Sequence, residues 1–344
     1  MLKAVFYSGL LWILWSVLFM ASSRGQHAES IRFVFYNVEN LFDIEDDSLT
    51  ADEEFTPEGD KVWNINRYHE KVDNIARTLT AVGEWELPAL AGLCEVENRA
   101  VLDDLTAHRL LSAAGYEVIH RDSPDRRGID VALLYKTAFF SPIESVWIHV
   151  TFPIDTNMVT RDILYVKGLL FQMDTIHIFI NHWPSRWGGV EASLPKRVAV
   201  ASILRKYTDS LFVAEENPNI LIAGDLNDNP CDSAVHKVLG ARKNHDGRAG
   251  ELYNLMFPLY LGGKEGSLKY RADWEIYDQI IVSASLLDKT GLQVKNGKAS
   301  IFSSEYLLKE DEKYLGVKPF RTYAGPRYLG GFSDHLPVFI DLIR

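Results

Sequence analysis

Seven times along this chain an apolar run meets a carboxylate, an amide or a histidine. Asn37 and Glu39 follow "IRFVFY", Glu95 ends "PALAGLC", Asp130 opens the run "VALLYK", and Asn181 and His182 end "HIFI". Asp225 and Asn227 close "NILIAG", Asp278 opens "QIIVS", and Asp334 and His335 precede "LPVFIDLI". Each alone has an ordinary explanation: Asn37 as a turn residue, Asp225 as an N-cap, His335 as a hydrogen-bonded core histidine. Their recurrence at strand ends means more, because in layered α/β folds sites form where strand ends converge. Carboxylate and amide oxygens are ligands for hard divalent cations such as Mg2+, Mn2+ or Ca2+, and the sequence offers no cysteine–histidine set of the kind that selects structural zinc. Histidines beside carboxylates suit proton transfer and the stabilisation of transition-state charge. Taken together, these residue types describe a hydrolase that works with a hard metal.

The elements that must carry these residues are short. Apolar runs predict strands over 31–37, 88–98, 116–121, 129–136, 163–171, 174–184, 219–227, 277–283 and 336–343. Those at 163–171 and 174–184 read as a hairpin bending at Met173 and Asp174. Helical spacing runs over 67–82, with Val72, Ile75, Ala76 and Leu79 on one face, and over 191–212. A short helix over 232–240 has Asp232 or Ser233 as N-cap and Gly240 as its stop. The order mixes crossovers with hairpins, which predicts mixed sheets with helices outside. No Pro/Gly-rich linker divides the chain after residue 30, so residues 27–344 read as one domain. On an extended strand end Asp225 and Asn227 would share a face, while Asp228 would point away and start the turn that "NP" continues.

Residues 1–26 stand apart. Lys3 is followed by the apolar "AVFYSGLLWILWSVLFMA" and the small polar "SSRGQ", which predicts a cleaved signal peptide and a secreted or periplasmic protein free of the membrane afterwards. An uncleaved anchor is the alternative. The formal net charge is -11; removing residues 1–26 takes Lys3 and Arg24 and no acidic residue, leaving -13. Such a surface repels polyanions and does not suit a protein that coats long nucleic acid through a broad basic face. It leaves room for a site where metal ions supply the positive charge. Two cysteines, Cys94 and Cys231, are too few for a disulfide scaffold and are expected as buried free thiols.

The motifs "FYNVENLF", "LCEVEN", "GIDVALLY", "INHWPSR", "GDLND", "YDQIIVS" and "SDHLPV" follow one another in the order found in the endonuclease/exonuclease/phosphatase superfamily. The chain resembles that group over roughly residues 31–343. The resemblance implies a four-layered α/β sandwich, two mixed sheets packed face to face with helices outside, and metal-dependent phosphoester hydrolysis with Mg2+, or Mn2+ or Ca2+ in its place. Glu95 then resembles the principal metal carboxylate, with Asn37 beside it. Asp225 resembles the aspartate that orients or activates the attacking water, and Asn227 the amide on a phosphate oxygen. His335 resembles the histidine on the scissile phosphate, and its neighbour Asp334 either a second metal contact or a histidine's partner. His182 sits where family members keep a histidine that binds phosphate or assists the leaving group, and Asp278 resembles the acidic residue paired with it. The family varies at Asp130.

Substrate is less legible. Arg127, Asn181 and Arg186 are the candidate substrate contacts, with Arg186 placed to grip a second phosphate. Trp183 and Trp187 either stack on a base or sugar or pack a loop onto the sandwich. The partner expected is a phosphoester, nucleic acid among the options, and no stable protein partner is implied. An extracytoplasmic endonuclease or phosphodiesterase ranks first and a phosphomonoesterase second. A sphingomyelinase-like enzyme ranks third, since "MFPLYLGG" is a short candidate for membrane docking. A binding module with a decayed site is the reading from another class; against it, no member of the residue set is missing.

Overall fold

The computed structural model describes residues 30–153, 155, 157–288 and 290–344; residues 1–26, expected to be a signal peptide, lie outside them. One mixed sheet is built from β1 (Ser30–Leu41), β2 (Leu90–Val96), β3 (Tyr116–His120), β4 (Asp130–Lys136), β14 (Gln293–Val294), β15 (Ser300–Ile301) and β20 (Val338–Ile343). Its path runs β14-β20-β1-β2-β4-β3, with β15 also on β20. β1 and β2 are parallel, and β20 and β4 flank them antiparallel.

The second sheet is built from β5 (Phe140–Ile148), β6 (Ile163–Leu170), β7 (Asp174–His182), β8 (Ile220–Asp225), β9 (Ala241–Arg242), β10 (Leu252–Asn254) and β13 (Asp278–Ser283), in the order β5-β6-β7-β8-β13-β10-β9. β6 and β7 form the expected hairpin, and β7 and β8 are parallel. β5 was not foreseen. It is an edge strand carrying Pro142, where a missing N–H costs no ladder bond, and its outward residues break the apolar run that marks the others.

Strand after strand is apolar on both faces because both are covered. Phe33 and Phe35 point inward to meet Ile178, Ile180 and Leu221 of the opposite sheet. Val34 and Tyr36, half a pleat away, pack beneath α1 (Ile65–Gly83) and α2 (Arg99–Ala107) with Val72, Ile75, Leu79 and Leu102. On the other outer face Phe179, Ile220 and Ile222 pack beneath α3 (Val190–Ala214) through Val200, Ala201 and Leu204. The result is the four-layered sandwich, helices outside two facing mixed sheets. Each such buried side chain stabilises the fold by about 1.5–3 kcal/mol relative to exposure. α1 is capped by Asn64, whose side chain accepts from the N–H groups of Asn66 and Arg67. Where a short helix was expected over 232–240, the chain makes a π-type turn at Ala234–Val238 with no side-chain cap. Cys94 is buried and free as expected; Cys231 is also free but exposed, because it lies in the loop between β8 and that turn rather than in the core.

Between β10 and β13, and again between β15 and β20, the chain leaves the sandwich. Three two-stranded ribbons form there: β11 (Leu268–Tyr270) with β12 (Asp273–Glu275), β16 (Leu308–Glu310) with β17 (Val317–Pro319), and β18 (Tyr323–Ala324) with β19 (Arg327–Tyr328). A small core of Leu307, Phe332 and Leu336 anchors them. Among the described residues no helix is long and apolar enough to cross a membrane.

Candidate active site

Register alone sets one row of the site. Parallel pairing of β7 with β8 puts His182 beside Asp225, and antiparallel pairing of β8 with β13 puts Asp225 beside Asp278. Gly224 makes the closeness possible: a Cβ there would lie 2.5 Å from the Asn181 backbone oxygen. The opposite sheet contributes through two irregularities. β2 is bulged between Cys94 and Val96, with Glu95 at φ 62, which turns this carboxylate out of the pleat. β1 is bulged between Asn37 and Leu41, with Glu39 and Asn40 also at positive φ. Four non-glycine positions carry this conformation in the site, Asn227 at φ 49 being the fourth, and backbone strain of this kind concentrates at functional sites. Asn227 lies past the end of β8 in the left-handed region, so the strand alternation that would place it on the face of Asp225 does not reach it.

Across the seam between the sheets the side chains converge. Asn37 Nδ2 donates to Glu95 Oε1 at 3.2 Å and to Asp225 Oδ2 at 3.1 Å, and the Asn40 N–H donates to Glu95 Oε2. His182 Nε2 lies 3.7 Å from Glu95 Oε1 and 3.6 Å from Asp225 Oδ2, too far for hydrogen bonds. His335 bonds through Nδ1 to Asp278 Oδ2 at 2.6 Å and turns Nε2 toward Asp225 Oδ2, 3.8 Å away. Ser333 ties this histidine to the first sheet: its hydroxyl donates to the Asn37 carbonyl and accepts the His335 N–H.

Burial drives the protonation of the site. It pushes Asp225 up to about 7, against the pull of His335 and with further repulsion from Asp278. Burial also opposes charge on His335, but the Asp278 and Asp225 carboxylates outweigh it and hold the imidazolium well above its ordinary value. His182 goes the other way: burial first, then the cations Arg161, Arg127 and His335, keep it well below its ordinary value and neutral.

Two groups of ligand atoms lie within 4.8 Å of one another here, Glu95–His182–Asp225 and Asp225–Asp278–His335. The first fits a divalent cation. Among the described residues neither Glu95 nor Asp225 is paired with a lysine or arginine, and neutral His182 presents Nε2 between them. The second is closed by the short His335–Asp278 contact. Asn37 shows its Nδ2 to both carboxylates while its Oδ1 accepts from Glu39 N–H, so as a ligand its amide would be turned round.

The remaining expected residues divide clearly. Asp278 lies beside His335 rather than His182. Asp334 is outside both ligand groups and accepts from Arg321 at 2.9 Å. Asn227 donates through Nδ2 to the Trp183 carbonyl, and its N–H donates to Asp225 Oδ1. Asn181 is fully buried, donates to the Phe179 and Ala223 carbonyls and accepts from Trp183 Nε1; it braces the strand ends. Arg186 is committed to the Asn227 carbonyl, Asp228 and Asp232, and stacks over Tyr277, so it clamps the loop rather than a phosphate. Arg127 is half exposed, with Nε 3.4 Å from Asp125 Oδ1, and remains turned toward solvent beside the site. Trp183 is wholly buried and Trp187 is 88% exposed. Asp228, expected in a turn, is buried and accepts from Arg186 and from fully buried Arg197. Asp130 sits apart, its Oδ2 3.2 Å from His120 Nε2.

Arg161, Lys71 and Arg321 had no reading in the sequence, and Glu39 was read only as a polar residue at a strand end. Arg161 is buried, bonds Asp125 and the Trp183 carbonyl, and helps keep His182 neutral. "TRD" before the apolar run of β6 carried the same signal as the other strand ends. Glu39, pushed up to about 7 by burial, accepts from Arg321 and the Thr322 N–H; Lys71, pushed down to about 8 by burial, donates to Thr322 Oγ1 and the Phe332 carbonyl. These buried charges fix the segment that carries Ser333 and His335.

The sequence profile of the Endonuclease/Exonuclease/phosphatase family matches residues 32–344. No curated protein matches the sequence. Many solved structures are similar in fold, three of them as follows. A mannosyl-6-phosphatase of Bacteroides thetaiotaomicron is 14% identical with a TM-score of 0.55, over 91% of this chain and 100% of that one. D. rerio TDP2 complexed with a single-strand DNA product is 14% identical at 0.55, over 91% and 99%. The human Nocturnin catalytic domain with bound sulfate is 16% identical at 0.54, over 92% and 95%. At these identities the likeness is one of fold. The family's members are hydrolases acting on phosphoesters.

Proposed function

The chain belongs to the endonuclease/exonuclease/phosphatase family, and from that premise we propose that it is a divalent-metal-dependent phosphodiester hydrolase of nuclease or phosphodiesterase type. We assign it a place outside the cytoplasm on its N-terminal apolar run. The observation that carries the reading is the facing of a charged His335–Asp278 pair and an Asp225–Glu95 carboxylate pair across the seam of the two sheets.

Glu95, His182 and Asp225 would hold the cation, Mg2+ by the hardness of the two carboxylates, with Mn2+ or Ca2+ able to replace it. When bound, the cation neutralises phosphate charge and polarises the P–O bond. Asp225, buried at the seam, accepts a proton from the attacking water as the water oxygen bonds to phosphorus. His335, held as imidazolium by Asp278, donates Nε2–H to the phosphoryl oxygen on which charge grows. The bond from phosphorus to the leaving oxygen breaks opposite the water, and the leaving oxygen takes up a proton from solvent. Arg127 meets the substrate phosphate at the open side of the site.

A phosphomonoesterase is the second reading, favoured by the similar mannosyl-6-phosphatase. The test is hydrolysis of bis-p-nitrophenyl phosphate, p-nitrophenyl phosphate and supercoiled plasmid, each with Mg2+, Mn2+, Ca2+ or EDTA. Metal-dependent turnover of the diester supports the proposal. Turnover of the monoester alone moves the assignment to the second reading, and EDTA-resistant turnover removes the metal from it.

A further inference from the structure

The chain is acidic overall, yet one groove is not. About 530 Å3 in volume, it is enclosed by the ribbons β11–β12, β16–β17 and β18–β19 and lined by seven lysines or arginines against three carboxylates. One of those carboxylates, buried Asp311, is already matched by Lys269 at 3.2 Å and Lys318 at 3.1 Å. Arg271, Lys309, Lys313 and Arg327 are exposed, and none has a carboxylate within 4 Å among the described residues. Glu310 and Glu312 lie among them, yet seven cations against three carboxylates leave the lining four positive charges in excess, a local positive field in a molecule of formal charge -11. Two of them lie over aromatic rings: Arg271 is 5.2 Å from the Tyr270 ring, itself 57% exposed, and Lys313 is 5.1 Å from that of Tyr314.

The groove starts at the active site. Arg321 lines it and reaches Asp334, next to His335, and Glu39, whose N–H holds Asn37. The β11 ribbon leaves the site directly: Leu268 bridges His335, and Ser267 Oγ accepts the Asp278 N–H. A chain of phosphates whose scissile member lay against His335 would therefore continue over Arg321 into the cations.

We propose that this groove binds the backbone of a single-stranded nucleic acid whose scissile phosphodiester lies at the active site, Arg271, Lys309, Lys313 and Arg327 taking phosphates and Tyr270 a base. Regularly spaced phosphates explain several separated cations where one phosphate needs only one or two. Exposed aromatic faces among cations are the mark of single-strand binding, since every base has a face to stack. A lipid surface fits less well: the cations line a concavity, and among the described residues the ribbons expose Leu315 and Val317 as their large aliphatic side chains. The proposal rests on the phosphodiesterase reading for its scissile end.

The test measures binding separately from chemistry. Anisotropy of a labelled ten-residue oligothymidylate is read in EDTA, with the strand recovered intact on a gel. The quadruple variant Arg271→Ser, Lys309→Ser, Lys313→Ser, Arg327→Ser is compared with wild type and with Lys206→Ser, Lys237→Ser, Lys243→Ser, Lys298→Ser, which removes the same charge from other exposed positions. The groove variant is expected to bind at least tenfold more weakly and to lose about 3 from the slope of log K against log salt, at about 0.7 per phosphate contact. The control set should stay within twofold of wild type, and all three proteins should share one melting temperature. Tyr270→Ser alone should weaken binding about tenfold without changing the slope. No binding by wild type, equal loss in both sets, or binding to phosphatidylserine vesicles in place of the oligonucleotide overturns the proposal. Failure of the catalytic reading shows elsewhere, as absent hydrolysis of bis-p-nitrophenyl phosphate by the wild type.

Discussion

The seam between the sheets and the ribbon rim beside it both collect charge, and they do so in opposite ways. In the seam the charged groups are buried, face one another within 4 Å and rest on long strands packed on both faces. On the rim most cations are exposed and ride on ribbons two or three residues long. A buried charge is costly unless its partners are fixed, so the seam can hold its atoms only in one arrangement. An exposed charge costs little to place and little to move. Chemistry that depends on tenths of an ångström belongs to the first kind of site; recognition of a repeating polyanion needs only the second. If that division holds, mutations should separate sharply by region.

The largest effects are expected in the seam. Asp225→Asn removes the proton acceptor and His335→Ala the charged donor, and each should lower turnover of the small diester by about 10³-fold or more while the melting temperature stays near that of the wild type. Turnover within tenfold of wild type in either variant would break the assignment of the seam as the chemical centre.

Next comes the buried scaffold under it. Arg197 is fully buried with Nε 2.7 Å from Asp228 Oδ1, and burial raises the Asp228 carboxyl to about 6 even with Arg197 and Arg186 beside it. Arg197→Met would leave that carboxylate short of a partner, and chemical denaturation should show a loss of about 3–5 kcal/mol. A loss below about 1 kcal/mol would mean that Arg186 alone suffices, and that the loop after β8 is less tightly determined than the seam requires.

A smaller change in the seam sharpens its electrostatics. Asp278→Asn takes away the chief carboxylate that raises His335, so the imidazolium should give up its proton at lower pH. Turnover should fall by about 10²-fold near pH 8, with the alkaline limb of the pH–rate profile moved to lower pH and part of the activity recovered on acidification. An unmoved limb would assign Asp278 to positioning alone.

The same contrast governs what the sequence discloses. Strand ends of the seam are legible because long apolar runs stop at polar residues, and Asn37, His182, Asp225, Asp278 and His335 all lie where those runs indicate. The bulge that turns Glu95 leaves no trace in composition, since any residue can occupy it at a cost. Pairing is equally hidden: whether Asp278 meets His182 or His335 depends on register between strands distant in sequence. Arg186 and Asn181 look like ligand contacts because polar residues at strand ends look alike whether they face substrate or brace a loop. The ribbons are too short for any period to show, and their cations are scattered from Arg271 to Arg327, so only the fold assembles them.

The smallest effect lies at the one rim carboxylate that behaves like a seam residue. Asp311 is buried, and although burial alone would raise its carboxyl, the ammonium groups of Lys318 and Lys269 and the Tyr314 N–H hold it at about 2. A carboxylate lowered in the folded state stabilises the fold above its unfolded value of 3.8 and loses that contribution as pH falls toward about 2. Asp311→Asn lacks the contribution at every pH. The melting temperature of wild type should therefore exceed that of the variant by a few degrees at pH 6, and the gap should begin to close near pH 4 and narrow steadily below it. A gap that is constant from pH 6 to pH 3 would mean that packing, not charge, fixes the β16–β17 ribbon. The rim would then be as rigidly specified as the seam, and the division between them would fail at its least exposed point.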